Sequence, residues 1–299
     1  MYEEIARNKR NSAILIAVFV AAVVFLGYLF GTALDAGFFG VAIACVLAPA
    51  TALVGYFQGD KIVLAVSRAQ EADRENYPIL YNVTEELTVA SGLPMPKLYV
   101  IPDEDAPNAF ATGRDPAHSS LAVTAALLGR LHRDQLQGVL AHEMSHVGDY
   151  DIRFATLVGI LVGMVAMMSD FFLRSAFWSR GRSRSRSNSG GGAVILIISL
   201  VLAILAPLFA KLVQLAISRQ REYLADAQAA KMTRNPEGLA SALEEISRSP
   251  GQLEAANRAT AHLYIVSPLQ ANAIGKKASG LFSTHPPIEE RIKRLRAIA

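Results

Sequence analysis

From Asn11 to Leu34 the chain carries no charged residue, and after Asp35 a second uncharged stretch runs from Ala36 to Gly59. Each reaches the roughly 20 residues an α-helix needs to cross ~30 Å of hydrocarbon. Inside a bilayer every backbone N–H and C=O must be satisfied within the segment, so runs of this kind are confined to helices. Joined by so short a turn, they predict a transmembrane helical hairpin over residues 1–59. A cleaved signal peptide would have a shorter apolar core ending in small residues. Arg7, Lys9 and Arg10 precede the first run, Lys61 and Arg68 follow the second, and the turn at Asp35 has neither lysine nor arginine. Basic flanks stay on the cytoplasmic side, which places the N-terminus and the chain beyond about residue 60 there.

The composition agrees with a membrane protein. Over 299 residues, 52% are hydrophobic and the mean hydropathy is +0.29, both high for a soluble chain. A net charge of only +3 gives no general basic surface, so nucleic acid is not an expected partner. The lone cysteine, Cys45, rules out an internal disulfide and a four-thiolate zinc site. Any metal must be held by histidine and carboxylate.

Residues 60–153 read as a polar α+β unit. Ile79, Leu80, Val83, Leu87 and Val89 fall near helical spacing, and Gly92 with Pro94 stops that helix. Short strands are expected at 96–101 and 108–113, and "SSLAVTAALL" begins as a strand and turns helical. In "RDQLQGVLAHEMSHVGD", Leu136, Val139, Leu140 and Val147 mark the core side of a further helix. Residues 154–218 hold two more apolar runs, 154–169 and Ala193–Ala210, read as a second hairpin. Between them, "RSAFWSRGRSRSRSNSGGG" cannot build a core and reads as a flexible loop. If this hairpin crosses, its five arginines lie outside, against the charge rule. Crossing remains the expectation, because the first helices dominate orientation. Residues 219–299 read as helical, with Pro236 in the first turn of one helix and a charged amphipathic helix at the end.

The chemistry concentrates in "AHEMSHVGDYD", residues 141–151. His142 and His146, four apart on a helix, project from one face and can share one metal ion. Glu143 stands beside them, where a carboxylate can act as general base toward water. Hydrolytic zinc sites use three protein ligands and leave one position open. His118 and His132 precede the motif, while His262 and His285 lie far downstream. Glu222 in "SRQREYLAD" is the better third ligand, and Asp226, one turn on, can accept the outer N–H of a ligand histidine. On an isolated surface helix the two acids would simply pair with Arg219 or Arg221. However, 76 residues separate Glu222 from His146, and an apolar hairpin in that interval returns the chain to the face it left. A three-histidine site using His262 or His285 stays open as the alternative.

Together, "HEMSH", "SRQREYLADAQAA", "PNAFATG" and "STHPPIEERIKRL", with two apolar hairpins, resemble the HtpX membrane zinc metalloproteases, relatives of the CAAX prenyl proteases. The resemblance covers nearly the whole chain. It implies a mainly α, α+β zincin-like protease domain carrying two transmembrane hairpins. It also implies an integral inner-membrane endopeptidase with its active site in the cytoplasm, cutting unfolded or damaged membrane proteins in quality control. The family's zinc ligands fall on His142, His146 and Glu222, with one zinc per chain, and its catalytic glutamate on Glu143. The segment from Arg180 to Gly192 departs from the family pattern.

Two further pieces carry expectations. "NAFATG" can be an internal strand, or an edge strand that pairs with extended substrate through Asn108, Ala109 and Phe110. His285 can be a turn residue before Pro286, or a donor to the oxyanion at the scissile carbonyl. Expected partners are unfolded proteins and membrane lipid. Two rival functions are a non-catalytic zinc-containing membrane scaffold, which has no need of Glu143, and an arginine-loop binder of anionic lipid or nucleic acid.

Overall fold

The computed structural model describes residues 2–33, 38–102, 105–161, 163–164, 218–248, 263–266 and 286–298. The expected second hairpin beyond residue 164, with its arginine-rich loop, lies outside them. Helices α1 (Tyr2–Ala33) and α2 (Phe38–Val66) are the expected first hairpin, and both are long and apolar enough to cross a membrane. They run antiparallel, with Gly27 against Gly40 and Ala44 at one end and Leu15 and Phe19 clustered with Ala52 further along. Phe25, Phe38, Phe39, Val46, Leu47 and Leu53 are exposed on their outer faces, the pattern of helices solvated by lipid. α2 continues to Val66, beyond the apolar run, and its last turns carry Val63 and Leu64 into a cluster with Phe110, Ala122 and Tyr264.

The polar part is built on a four-stranded sheet. Its strands are β1 (Gln70–Glu71), β2 (Lys97–Ile101), β3 (Ala109–Asp115) and β4 (His118–Thr124), in the order β1-β2-β4-β3. β2 and β4 are parallel, while β1 with β2 and β3 with β4 are antiparallel. This leaves β3 at an edge, as the sequence allowed. Between β1 and β2, α3 (Pro78–Ser91) starts at a proline and ends at Gly92, whose φ of 70° suits a residue without Cβ. Leu80, Val83 and Leu87 are buried, whereas Ile79 and Val89, counted with them near helical spacing, are 57% and 86% exposed. The strict helical period carries those two positions round to water, and Thr84 takes the inward place instead.

After β4 come α4 (Ala125–Arg130) and α5 (Arg133–Gly148). α5 is the central helix, packed against α3 and β3 and against α7 (Arg219–Thr233) and α8 (Pro236–Arg248). Leu136, Val139, Leu140 and Val147 are buried as the spacing predicts. α6 covers 151–161 and lies against the first hairpin: Phe154, Leu157, Val158 and Leu161 join Leu15, Phe19 and Ala52 in one cluster. α9 (Ile288–Arg296) closes the unit over α7 and α8.

The α5–α8 crossing depends on Gly138. A Cβ there would stand 2.6 Å from the backbone nitrogen of Leu239, whereas one on Gly129 of α4 would meet nothing within 4 Å. Gly138→Ala should therefore destabilise the detergent-solubilised protein by about 1–3 kcal/mol, the usual cost of overpacking. Gly129→Ala should be neutral or stabilise by up to about 1 kcal/mol. Equal thermal-unfolding shifts for the two variants would contradict this packing.

Candidate metal centre

α5 is a secure platform for side chains. Its first turn is closed by a capping box in which the His132 backbone N–H donates to Gln135 Oε1 at 3.0 Å. Nearly all of its second half is buried. Four residues apart, His142 and His146 meet nearly at right angles, with ring centroids 4.8 Å apart and their Nε2 atoms 3.2 Å apart.

What occupies those two Nε2 atoms follows from the other side of each ring. His142 Nδ1 lies 3.0 Å from Asp226 Oδ1, and His146 Nδ1 lies 3.0 Å from Asp151 Oδ2. A carboxylate accepts, so each neutral imidazole places its N–H there and turns an Nε2 lone pair inward. Two lone pairs facing each other at this distance repel unless a proton or a metal ion stands between them. Glu222, in the first turn of α7, brings Oε2 within 3.7 Å of His142 Nε2 and Oε1 within 3.7 Å of His146 Nε2. Tetrahedral zinc with ligand bonds of ~2.0–2.1 Å spaces its ligand atoms about 3.3 Å apart. The donor set His142, His146 and Glu222, all within 4.8 Å of one another, fits that ion.

The acids around the site are held by buried guanidinium groups. Arg291 of α9, with 0% exposure, donates from Nε to Asp226 Oδ2 at 2.9 Å and from Nη2 to Asp226 Oδ1 at 2.7 Å. On the other side, Arg221 Nη1 donates to Asp151 Oδ1 at 2.9 Å. Burial alone would raise the Asp226 pKa, but the Arg291 charge and the bonds from His142 and Arg291 bring it down to about 2. Burial and the nearby Arg291 charge lower His142, keeping it neutral. Burial would also lower His146, but the Asp151 hydrogen bond and the Glu222, Asp151 and Glu143 charges outweigh it and lift that imidazole to about 9. Glu143 is pushed up to about 7, first by burial and then by the Glu222 charge, with His146 opposing. A carboxyl poised near neutrality can both take and return a proton.

A cleft opens onto this group, lined among others by His142, Glu143, His146 and Glu222, with Ala111 from β3 and Leu263, Tyr264 and Ile265 on its walls. The structure thus gathers five of the residues singled out from sequence: His142, Glu143, His146, Glu222 and Asp226. His262 and His285 lie outside the described residues. Asn108, Ala109 and Phe110, expected to touch substrate, are instead engaged by residues 263–266. Asn108 Nδ2 donates to the Val266 carbonyl at 2.8 Å, Ile265 N–H donates to the Ala109 carbonyl at 3.0 Å, and the Phe110 ring packs edge-on to Tyr264. The part of the β3 edge that reaches the cleft is Ala111, whose N–H donates to the Glu143 carboxylate. Sequence reasoning missed Asp151, Arg221, Arg291 and Asn8. Asp151 stood five residues after His146 and could have been flagged as a partner for its outer nitrogen. Arg291 reads in sequence as one more surface charge of an amphipathic helix.

These relations make the metal affinity depend on protons and on the outer carboxylates. Without metal, His146 holds its proton up to about pH 9, so a divalent ion must displace it. Zinc affinity measured by chelator competition should rise about tenfold per pH unit below 9 and level off above it. Asp226→Ala should weaken zinc by about 10- to 100-fold. The exposed Glu237→Ala should leave it nearly unchanged. A flat pH profile, or equal effects of the two substitutions, would contradict the arrangement.

Comparison with known proteins agrees with the geometry. The model of "Peptidase family M48" matches residues 74–299. A "Protease HtpX homolog" from Dictyoglomus turgidum is 45% identical over 99% of this chain and 94% of its own length. Another, from Caldanaerobacter subterraneus subsp. tengcongensis, is 43% identical over 100% and 98%. Among solved structures, Ste24p from S. mikatae aligns with 99% of this chain and 67% of its own, at a TM-score of 0.52 and 19% identity, a likeness of fold. With a family match over most of its length and full-length relatives at this identity, the chain belongs to peptidase family M48, among its HtpX-like membrane metalloproteases.

Proposed function

We propose that this protein is a zinc endopeptidase that cuts unfolded or damaged proteins at the cytoplasmic face of the membrane, in protein quality control. The observation that carries the reading is the pair of Nε2 atoms converging with Glu222 in a cleft that also holds Glu143. His142, His146 and Glu222 would hold one zinc ion. When bound, the ion supplies Lewis-acid polarisation of the scissile carbonyl and acidifies the attacking water. Glu143 accepts the proton of that water and returns it to the leaving amine nitrogen. Asp226 and Asp151 keep both imidazoles in the tautomer the ion needs. An extended substrate would lie along the cleft beside Ala111, with His285 as an oxyanion donor. The chain divides into a membrane hairpin (1–59), a protease core (60–153), a second apolar hairpin (154–218) and a C-terminal helical part bearing the third ligand (219–299). Lipid surrounds the hairpins, and no nucleic acid takes part.

Purified, zinc-loaded protein in detergent should degrade a reduced, unfolded test protein, and a zinc chelator should stop it. Glu143→Gln should lower the rate by about 10²- to 10⁴-fold while still binding one zinc. Loss of zinc in that variant, or unchanged cutting, would remove Glu143 from this role.

Orientation is tested by single cysteines in a Cys45→Ser background. Ala117, exposed in the β3–β4 turn, should react only with a probe on the cytoplasmic side, and a cysteine at Asp35 only with one on the opposite side. Reaction of both from the same side would overturn a crossing first hairpin.

A further inference from the structure

Asn8 lies in α1 between Arg7 and Lys9, just before the apolar run, and is 0% exposed. A buried amide is costly unless its hydrogen bonds are made, and here they are made to the surroundings of the metal centre. Its Nδ2 donates to Asp151 Oδ1 at 2.6 Å and to the Asp149 carbonyl at 2.9 Å, and its Oδ1 accepts from Arg221 Nη1 at 3.2 Å. We propose that Asn8 of the first membrane helix is a positioning residue of the metal centre, holding Asp151 so that it orients His146. The inference rests on the reading of His146 as a metal ligand.

A comparison of the two histidines explains why an asparagine is needed. Asp226, behind His142, is gripped through two nitrogens of the Arg291 fork, a geometry one side chain can supply alone. Asp151, behind His146, receives Arg221 Nη1 on Oδ1, and the same Nη1 also donates to Asn8 Oδ1. The second donor to Asp151 Oδ1 comes from Asn8. Removing that amide takes away one of the two donors to Asp151 Oδ1 and an acceptor used by Arg221 Nη1. Asp151 can then swing, and His146 Nδ1 loses a fixed acceptor.

Asn8 can play this part because its helix is anchored beside the site. Leu15 and Phe19, two and three turns further along α1, pack on Phe154, Leu157 and Val158 of α6, which begins at Asp151 itself. Lys9 Nζ sits 4.4 Å from the centre of the Tyr150 ring. The membrane hairpin therefore does more than tether the protease unit; it completes the outer shell of one metal ligand.

The test uses the full-length protein in detergent. Asn8→Ala should weaken zinc, by chelator competition, about 10- to 100-fold, as other losses behind a ligand histidine do. It should also shift the visible absorption bands of the cobalt(II)-loaded protein and lower kcat with KM unchanged. Ser12→Ala is the control, since Ser12 is buried on the same helix and its hydroxyl, among the described residues, donates to the Asn8 carbonyl within that helix. It should leave zinc affinity and the cobalt spectrum unaltered. Should Asn8→Ala fail to accumulate, Asn8→Ser, which retains a small polar group, must still show at least a several-fold weaker zinc affinity. A lower melting temperature with parental zinc affinity and cobalt spectrum would make Asn8 a packing residue only and overturn the proposal. His146→Ala and Glu222→Ala run alongside. If they keep zinc, the metal-site reading fails; if they lose it and Asn8→Ala does not, only the role of Asn8 fails.

Discussion

The arrangement rests on charge compensation inside a buried site. Glu143, Asp151, Glu222 and Asp226 are each less than a tenth exposed; Arg221 pairs with Asp151, and Arg291 pairs with Asp226 and, at 3.6 Å, with Glu222. Four acids against two guanidinium groups leave an excess of negative charge beside the two imidazoles. Isolated buried carboxylates are expensive, and without metal the site relieves the cost by raising the pKa of Glu143 and protonating His146. A divalent ion held by His142, His146 and Glu222 would cancel the same charge and give both Nε2 atoms a partner. Much of the fold serves this end: α5 supplies the histidines, α7 the third carboxylate, α9 the arginine that braces Asp226, and α1 the amide that braces Asp151.

Glu222 shows how local and tertiary effects combine. It sits in the first turn of α7, where the helix dipole favours a negative charge, so the position suits a carboxylate before any metal binds. Packing of α7 on α5 then brings it to both histidines. Arg291 is the costlier element. A fully buried guanidinium is tolerated because Asp226 takes two of its donors and the Ile265 carbonyl a third. That third bond also ties residues 263–266 to the site, and the same residues cover part of the β3 edge.

The membrane hairpin and the protease unit share structure. α2 runs on past its apolar stretch into the cluster under β3 and β4, and α6, which begins at Asp151, packs against α1 directly after the turn at Asp149 and Tyr150. Close approach of α2 to α6 relies on Gly59, where a Cβ would fall 2.7 Å from Ile160. The metal centre is thus held against the membrane helices through side chains as well as through the chain itself.

The sequence by itself determined the features that depend on neighbours in the chain. Two uncharged runs can satisfy their backbone in lipid only as helices, and H-E-x-x-H on a helix must put two imidazoles on one face whatever surrounds them. Strand and helix positions in 78–148 were legible from hydrophobic period and from Gly92 with Pro94, whereas the short β1 (Gln70–Glu71) was not. Glu222 was reachable because the two apolar runs in the 76 residues between it and His146 suggested a return of the chain to the same face. Tertiary structure alone decided which distant groups hold the site in shape. Asn8, Arg221 and Arg291 carry no local pattern that separates them from surface polar residues, since a hydrogen bond to a residue far along the chain leaves no periodicity. The occupation of Asn108, Ala109 and Phe110 by 263–266 was hidden for the same reason: an edge strand is a local property, but what lies against the edge is not.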